Sequence, residues 1–177
     1  MKLKILLIIY FIFTLLLAGY FILPNNSFPT PPVDAVRSTE PADSETPLRR
    51  AYFTNYTREQ IIDHYRAQFA GPITLRLNYP PEEAGTIIRD QTRSYYLEEL
   101  AQPLRESLYV NGFVPTKAKD DIWYKGQHFA QKITIKHVSS SVFVRIILLF
   151  GIYIVGSLII LEWYLLMDEI VKTVKKE

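Results

Sequence analysis

Nineteen consecutive uncharged residues, Ile5 to Leu23 (ILLIIYFIFTLLLAGYFIL), follow Met-Lys-Leu-Lys at the start of this chain. As a helix the run is about 28 Å long, close to the ~30 Å hydrocarbon core of a bilayer. A cleavable leader has a shorter apolar core and ends at a small-x-small site. Here Ala18-Gly19 is followed by Tyr20-Phe21-Ile22-Leu23, so the expectation is an uncleaved membrane anchor over 1–23.

A second apolar stretch lies near the other end. Ile146–Leu161 is uncharged, and the wider segment Val142–Met167 contains Arg145 and Glu162 about 25 Å apart along a helix. Each charge is then expected near a boundary, with Arg145 snorkelling outward and Glu162 beside the interfacial aromatics Trp163 and Tyr164. The expected second span is 139–167. A short basic tail follows (168–177), and Trp163, Leu166, Ile170 and Val174 carry the span on into an amphipathic turn or two. Lysines at both tails (Lys2, Lys4, Lys172, Lys175, Lys176) favour a two-pass topology with both termini cytoplasmic and the middle extracytoplasmic. Ala18, Gly19 and Gly151 lie at similar depth, where small residues would let two helices approach. Glu162 and Gly151 are the candidate contacts to a partner membrane protein.

The bulk composition (177 residues, 49% hydrophobic, net charge +2, mean hydropathy +0.05) averages these apolar ends with a polar middle. That pattern argues against a disordered chain and against a bulk-electrostatic nucleic-acid binder. With no cysteine there is no disulfide framework, thiolate metal site or cysteine nucleophile.

Residues 24–48 hold six of the 11 prolines among Ser, Thr, Asp and Glu, and are expected to form a disordered tether. Residues 49–138 are expected to form a small α+β domain with order β-α-β-α-β-β, its helices on one face of a two-layer sandwich. Arg50–Phe53 is a strand candidate. Thr57-Arg58-Glu59-Gln60 is a capping box opening a helix with Ile61, Ile62, Tyr65 and Phe69 on one side and Gly71 at its end. Ile73, Leu75, Leu77 and Tyr79 alternate with polar residues as a half-buried strand does. Pro80-Pro81-Glu82-Glu83 opens a second, longer helix. Its stripe runs through Ala84, Ile87, Ile88, Gln91, Tyr95, Leu97, Leu100, Leu104 and Leu108, with a kink or break near Glu99 imposed by Pro103 and a stop at Asn111-Gly112. A strand at Ile122–Tyr124, a Lys125-Gly126 turn and a strand from His128 to Val138 complete the order, and Ser139-Ser140-Ser141 reads as a linker.

Chemistry-bearing patterns are sparse. The glycines form no phosphate loop, and His64, His128 and His137 have no metal-ligand spacing. Glu82-Glu83, Glu98-Glu99 and Asp120-Asp121 are explained by a helix dipole, a solvated face and a turn. Arg89, Arg93 and Arg105 interleave with Tyr96 and its neighbours as a candidate aromatic–cationic surface patch, the alternative being tyrosines packed between sheet and helix. The expectation is therefore a non-catalytic accessory or scaffold protein of the cytoplasmic membrane. It would have no cofactor, metal or nucleic-acid partner, and would present its domain to another membrane or envelope protein. The alternative is an extracytoplasmic ligand-binding or sensory module acting through a partner span.

Overall fold

A threonine three residues ahead of a glutamine starts the principal helix of the folded domain. In the computed structural model, which describes residues 2–88 and 94–174, α2 (Arg58–Gln68) is capped by Thr57. The Thr57 hydroxyl accepts from the Gln60 amide at 3.4 Å, and the Gln60 side chain accepts from the Thr57 amide at 2.8 Å. Two otherwise orphaned donors are thereby satisfied. Ile61, Ile62, Tyr65 and Phe69 are buried, each contributing on the order of 1.5–3 kcal/mol of hydrophobic free energy.

The chain divides into two compact units, Asn25–Ser139 and the pair of terminal segments Met1–Pro24 with Ser140–Glu177. The first is α+β. Its six-stranded antiparallel sheet is formed by β1 (Val36–Arg37), β2 (Arg49–Thr54), β3 (Leu75–Tyr79), β4 (Tyr96–Gln102), β5 (Glu106–Phe113) and β8 (Gln131–Ser139). The strands lie in the order β1-β2-β8-β5-β4-β3. A separate hairpin pairs β6 (Ile122–Tyr124) with β7 (Gln127–Phe129) across the expected Lys125-Gly126 turn, where both residues adopt positive φ.

The expected second helix is much shorter than its apolar stripe. α3 is described over Pro81–Ile88, and 96–113, the rest of the stripe, forms the β4–β5 hairpin instead. The leucine spacing fits a helix, but Pro103 starts a chain reversal in which the Arg105 amide donates to the Gln102 carbonyl at 3.0 Å. Leu104 occupies the positive-φ position of that turn (φ 60°). In extended form almost every residue of 96–102 is buried, so tertiary burial overrides the helical pattern. Asn111-Gly112 accordingly lies inside β5 rather than stopping a helix. Gly112 is required there, because a Cβ would sit 2.1 Å from the Tyr96 ring.

The two domain helices lie on opposite faces of the sheet, not on one. α2 packs with Tyr96, Leu100, Leu108, Val110, Ile133 and Ile135, whereas Ala84 of α3 packs on Leu97, which strand alternation turns to the other side. Phe53, Ile122 and Phe129 form a smaller cluster, with Tyr124 stacked on Phe53 at 4.5 Å between ring centroids.

Residues 25–48 are not a free tether but part of this unit. Pro29, Pro32, Ser38 and Asp43 are buried, and Phe28 and Ala35 pack on the core. The Asp34 carboxylate accepts from the Thr54 hydroxyl and the Asn55 amide, both at 2.7 Å. Lys132 bridges Asp43 at 2.7 Å and Glu40 at 2.8 Å. The segment has too little apolar surface for a core of its own, and it orders by lying on one already formed.

In the other unit, α1 (Lys2–Ile22) and α4 (Val142–Val174) run beside each other. Among the described residues one helical stretch, Val142–Thr173, is long and apolar enough to cross a membrane, and Ile8–Ile22 of α1 is a shorter apolar stretch. The expected serine linker has three separate uses. Ser139 ends β8, Ser140 binds Arg145, and the Ser141 hydroxyl accepts from the Val144 amide at 3.3 Å as the cap of α4.

Candidate functional site

The sequence places two acidic residues side by side in β4, and strand alternation sends them to opposite faces. Glu98 faces α2 and is fully buried. It accepts from Arg58 Nε at 2.5 Å and from Arg76 Nε, while the Arg58 guanidinium lies over the Tyr96 ring at 5.2 Å. Glu99 faces α3 and accepts from the Tyr79 and Ser107 hydroxyls. The bond to Glu99 raises the Tyr79 phenol above its ordinary value, and burial does the same to Tyr109 beside it. Neither carboxylate is a solvated helix-face residue, because 98–99 is strand.

A third buried acid lies at the end of the sheet where the unit begins and ends. Glu106 accepts from the Asn26 amide on both oxygens (3.2 and 3.1 Å) and from Arg105 Nη2 at 3.5 Å. His137 Nε2 lies 3.1 Å from its Oε2, and the imidazole ring is flanked by Phe28 and Phe69. All three carboxylates are thus surrounded by donors of their own unit. They tie elements together.

The candidate patch is not assembled as expected. Tyr96 is a core residue whose hydroxyl donates to Gln131 at 2.9 Å, and Arg105 is buried against Glu106. Burial raises the Tyr96 phenol well above its usual range. Arg89 and Arg93 lie outside the described residues. A concavity of this unit, about 350 Å³, is lined by Ser94, Tyr95, Phe113 and Thr116 with Lys117, Lys119 and Asp120. Its size suits a small ligand, and its charged lining is cationic by one. None of these lining residues forms a nucleophile–base pair.

Within the unit of α1 and α4, Gly19 and Gly151 each face open space: a methyl group added at either would meet nothing within 4 Å. Ala18 is half-buried. The helices meet elsewhere. Tyr10 and Tyr153 contact edge to face at 5.7 Å, and Arg145 is completely buried rather than snorkelling outward. Its Nη1 donates to the carbonyls of Phe21 (3.1 Å) and Leu23 (2.8 Å), and its Nη2 to that of Ser140 (2.9 Å). The last carbonyls of a helix lack partners within it, so a guanidinium fork is well suited to that end. Sequence reasoning missed this role. The signal for it was a lone arginine at the foot of one apolar run, when the other run ends at Pro24 with helix-end carbonyls that need donors. Glu162 is exposed on α4.

Neither the known protein families, nor functionally characterised proteins, nor solved structures provide a match to this chain.

Proposed function

We propose that this chain is a non-catalytic accessory or scaffold protein, held in the cytoplasmic membrane by α1 and α4. Both termini are cytoplasmic, and the α+β unit is presented on the outer face to another envelope component. One observation carries the reading: the apolar surface of Val142–Thr173 is left almost wholly uncovered by the rest of the chain. Uncovered apolar surface of that extent belongs in lipid. The Arg145 clasp supports a second span, because it binds α1 to α4 and satisfies the carbonyls at one end of the shorter helix. The non-catalytic part rests on three buried carboxylates, each occupied by internal donors. Glu162, exposed on α4, is the proposed contact to a partner span.

The test uses the absence of native cysteine. Val33→Cys, at a fully exposed position, should react with a membrane-impermeant maleimide in intact cells, and Thr173→Cys only after lysis. The opposite pattern, or release of the protein by carbonate washing, would overturn the topology. Co-purification in mild detergent beside Glu162→Ala tests the partner contact.

A second reading is favoured by the cleft at Tyr95, Lys117 and Lys119: a ligand-binding or sensory module for a small anionic ligand. Titration of the purified chain with anionic envelope fragments, read against Lys117→Ala with Lys119→Ala, separates it from the first.

A further inference from the structure

The two edges of the six-stranded sheet are treated differently. At the β1 edge, the pairing with β2 runs on by one bond, the Ser38 amide donating to Ala51 at 2.9 Å, and the chain then turns directly into β2, the Arg49 amide donating to Thr46 at 3.1 Å. β1 itself is two residues long, so this edge offers no free ladder to a further strand. At the other edge β3 pairs with β4 on one side and, among the described residues, has no strand on the other. It has no proline, no bulge and no lysine within Leu75–Tyr79, and its one charged residue, Arg76, is drawn to Glu98 of β4. Its apolar residues are also uncovered, where the alternation predicts a half-buried strand. Leu75 is 50% exposed and Leu77 45%, because α3 packs over Leu97 of β4 rather than over them.

We propose that β3 is a self-association edge. A second copy of this chain pairs with it antiparallel about a two-fold axis at Leu77, joining two six-stranded sheets into one. The strand is self-complementary in that register. Leu77 faces Leu77 of the second copy, and Leu75 faces Tyr79 of the second copy, all on one side of the sheet. Arg76, the one charged residue of the strand, meets Asn78 and not another arginine. The pairing consumes the free edge of both copies, and it closes as a dimer because the β1 edge gives no counterpart for head-to-tail growth.

Single-cysteine variants of the full chain in detergent test the register. Leu77→Cys places two thiols directly opposite each other, within reach of a disulfide. Leu75→Cys, of similar exposure, places them roughly 14 Å apart along the strands. Under mild oxidation Leu77→Cys should dimerise on the order of tenfold faster than Leu75→Cys or Val33→Cys, with circular dichroism confirming that all three are folded. Equal rates for the three, or no excess for Leu77→Cys, would overturn the proposal. Light scattering gives a second readout on a surface change that leaves the core intact. The native chain should be dimeric and Leu77→Lys monomeric, and an unchanged mass would count against the edge.

Discussion

Arg145 Nη1 and the carbonyl oxygen of Leu23 are 2.8 Å apart, although 122 residues separate them in the chain. The guanidinium closes the last turn of one apolar helix from the first turn of another. The pair therefore depends on one polar fork more than on small-residue packing, since Gly19 and Gly151 meet nothing.

Replacing the fork should loosen the helix pair. Arg145→Met removes the donor to the buried Phe21 carbonyl and to the part-buried carbonyls of Leu23 and Ser140, at a cost of roughly 1–3 kcal/mol. Arg145→Lys should fall between, since an ammonium cannot reproduce the planar fork. Titration with sodium dodecyl sulfate, followed by helical circular dichroism, should show a lower midpoint in that order.

Alkali should unfold the α+β unit. The phenols of Tyr65, Tyr96 and Tyr109 are raised chiefly by burial and that of Tyr79 chiefly by its bond to Glu99. For Lys132, burial pulls downward, but hydrogen bonds to Asp43 and Glu40 outweigh it and raise the group. In each case the folded state holds its proton after the unfolded state has released it. Stability is therefore complete below about pH 10 and falls as pH rises beyond it. Each fully buried group contributes about 1.4 kcal/mol per pH unit, with less from the partly exposed ones. Phenolate absorbance should appear together with unfolding, not before it.

The β4–β5 turn stores strain. Leu104 takes a φ of 60°, which suits glycine, and its side chain is more than half exposed. Leu104→Gly should relieve about 1–2 kcal/mol of strain against about 0.5–1 kcal/mol of added unfolded-state entropy. The melting temperature should rise by a few degrees, whereas Leu104→Ala, which keeps a Cβ, should not raise it.

Gly112→Ala should act in the opposite sense. The new methyl would overlap the Tyr96 ring and cost roughly 1–3 kcal/mol. The same change in a Tyr96→Ala background should cost much less. An additive double-mutant cycle would show that the ring is not the obstacle.

Local chemistry was legible in the sequence wherever the interacting residues are close along the chain. The Thr57–Gln60 capping box, the extended conformation of Leu75–Tyr79 and the Lys125-Gly126 turn each depend on residues within a few positions, and each forms as expected. The uncharged run of α4 was readable for the same reason, since its length and composition are properties of one segment.

What needed the tertiary structure was every feature whose cause lies far along the chain. The leucines of 97–108 satisfy a helical period, and only the pairing of β5 with β8 decides that the segment is extended. Residues 25–48 look unfoldable alone and are ordered by partners such as Thr54, Gln68 and Lys132. Arg105 and Arg145 look like surface or interfacial charges, and each is buried because a carboxylate or a helix end, unforeseeable from the arginine itself, lies there to receive it. A charge's position in the fold is set by where its counterpart arrives. Periodicity along a single segment carries no information about that arrival.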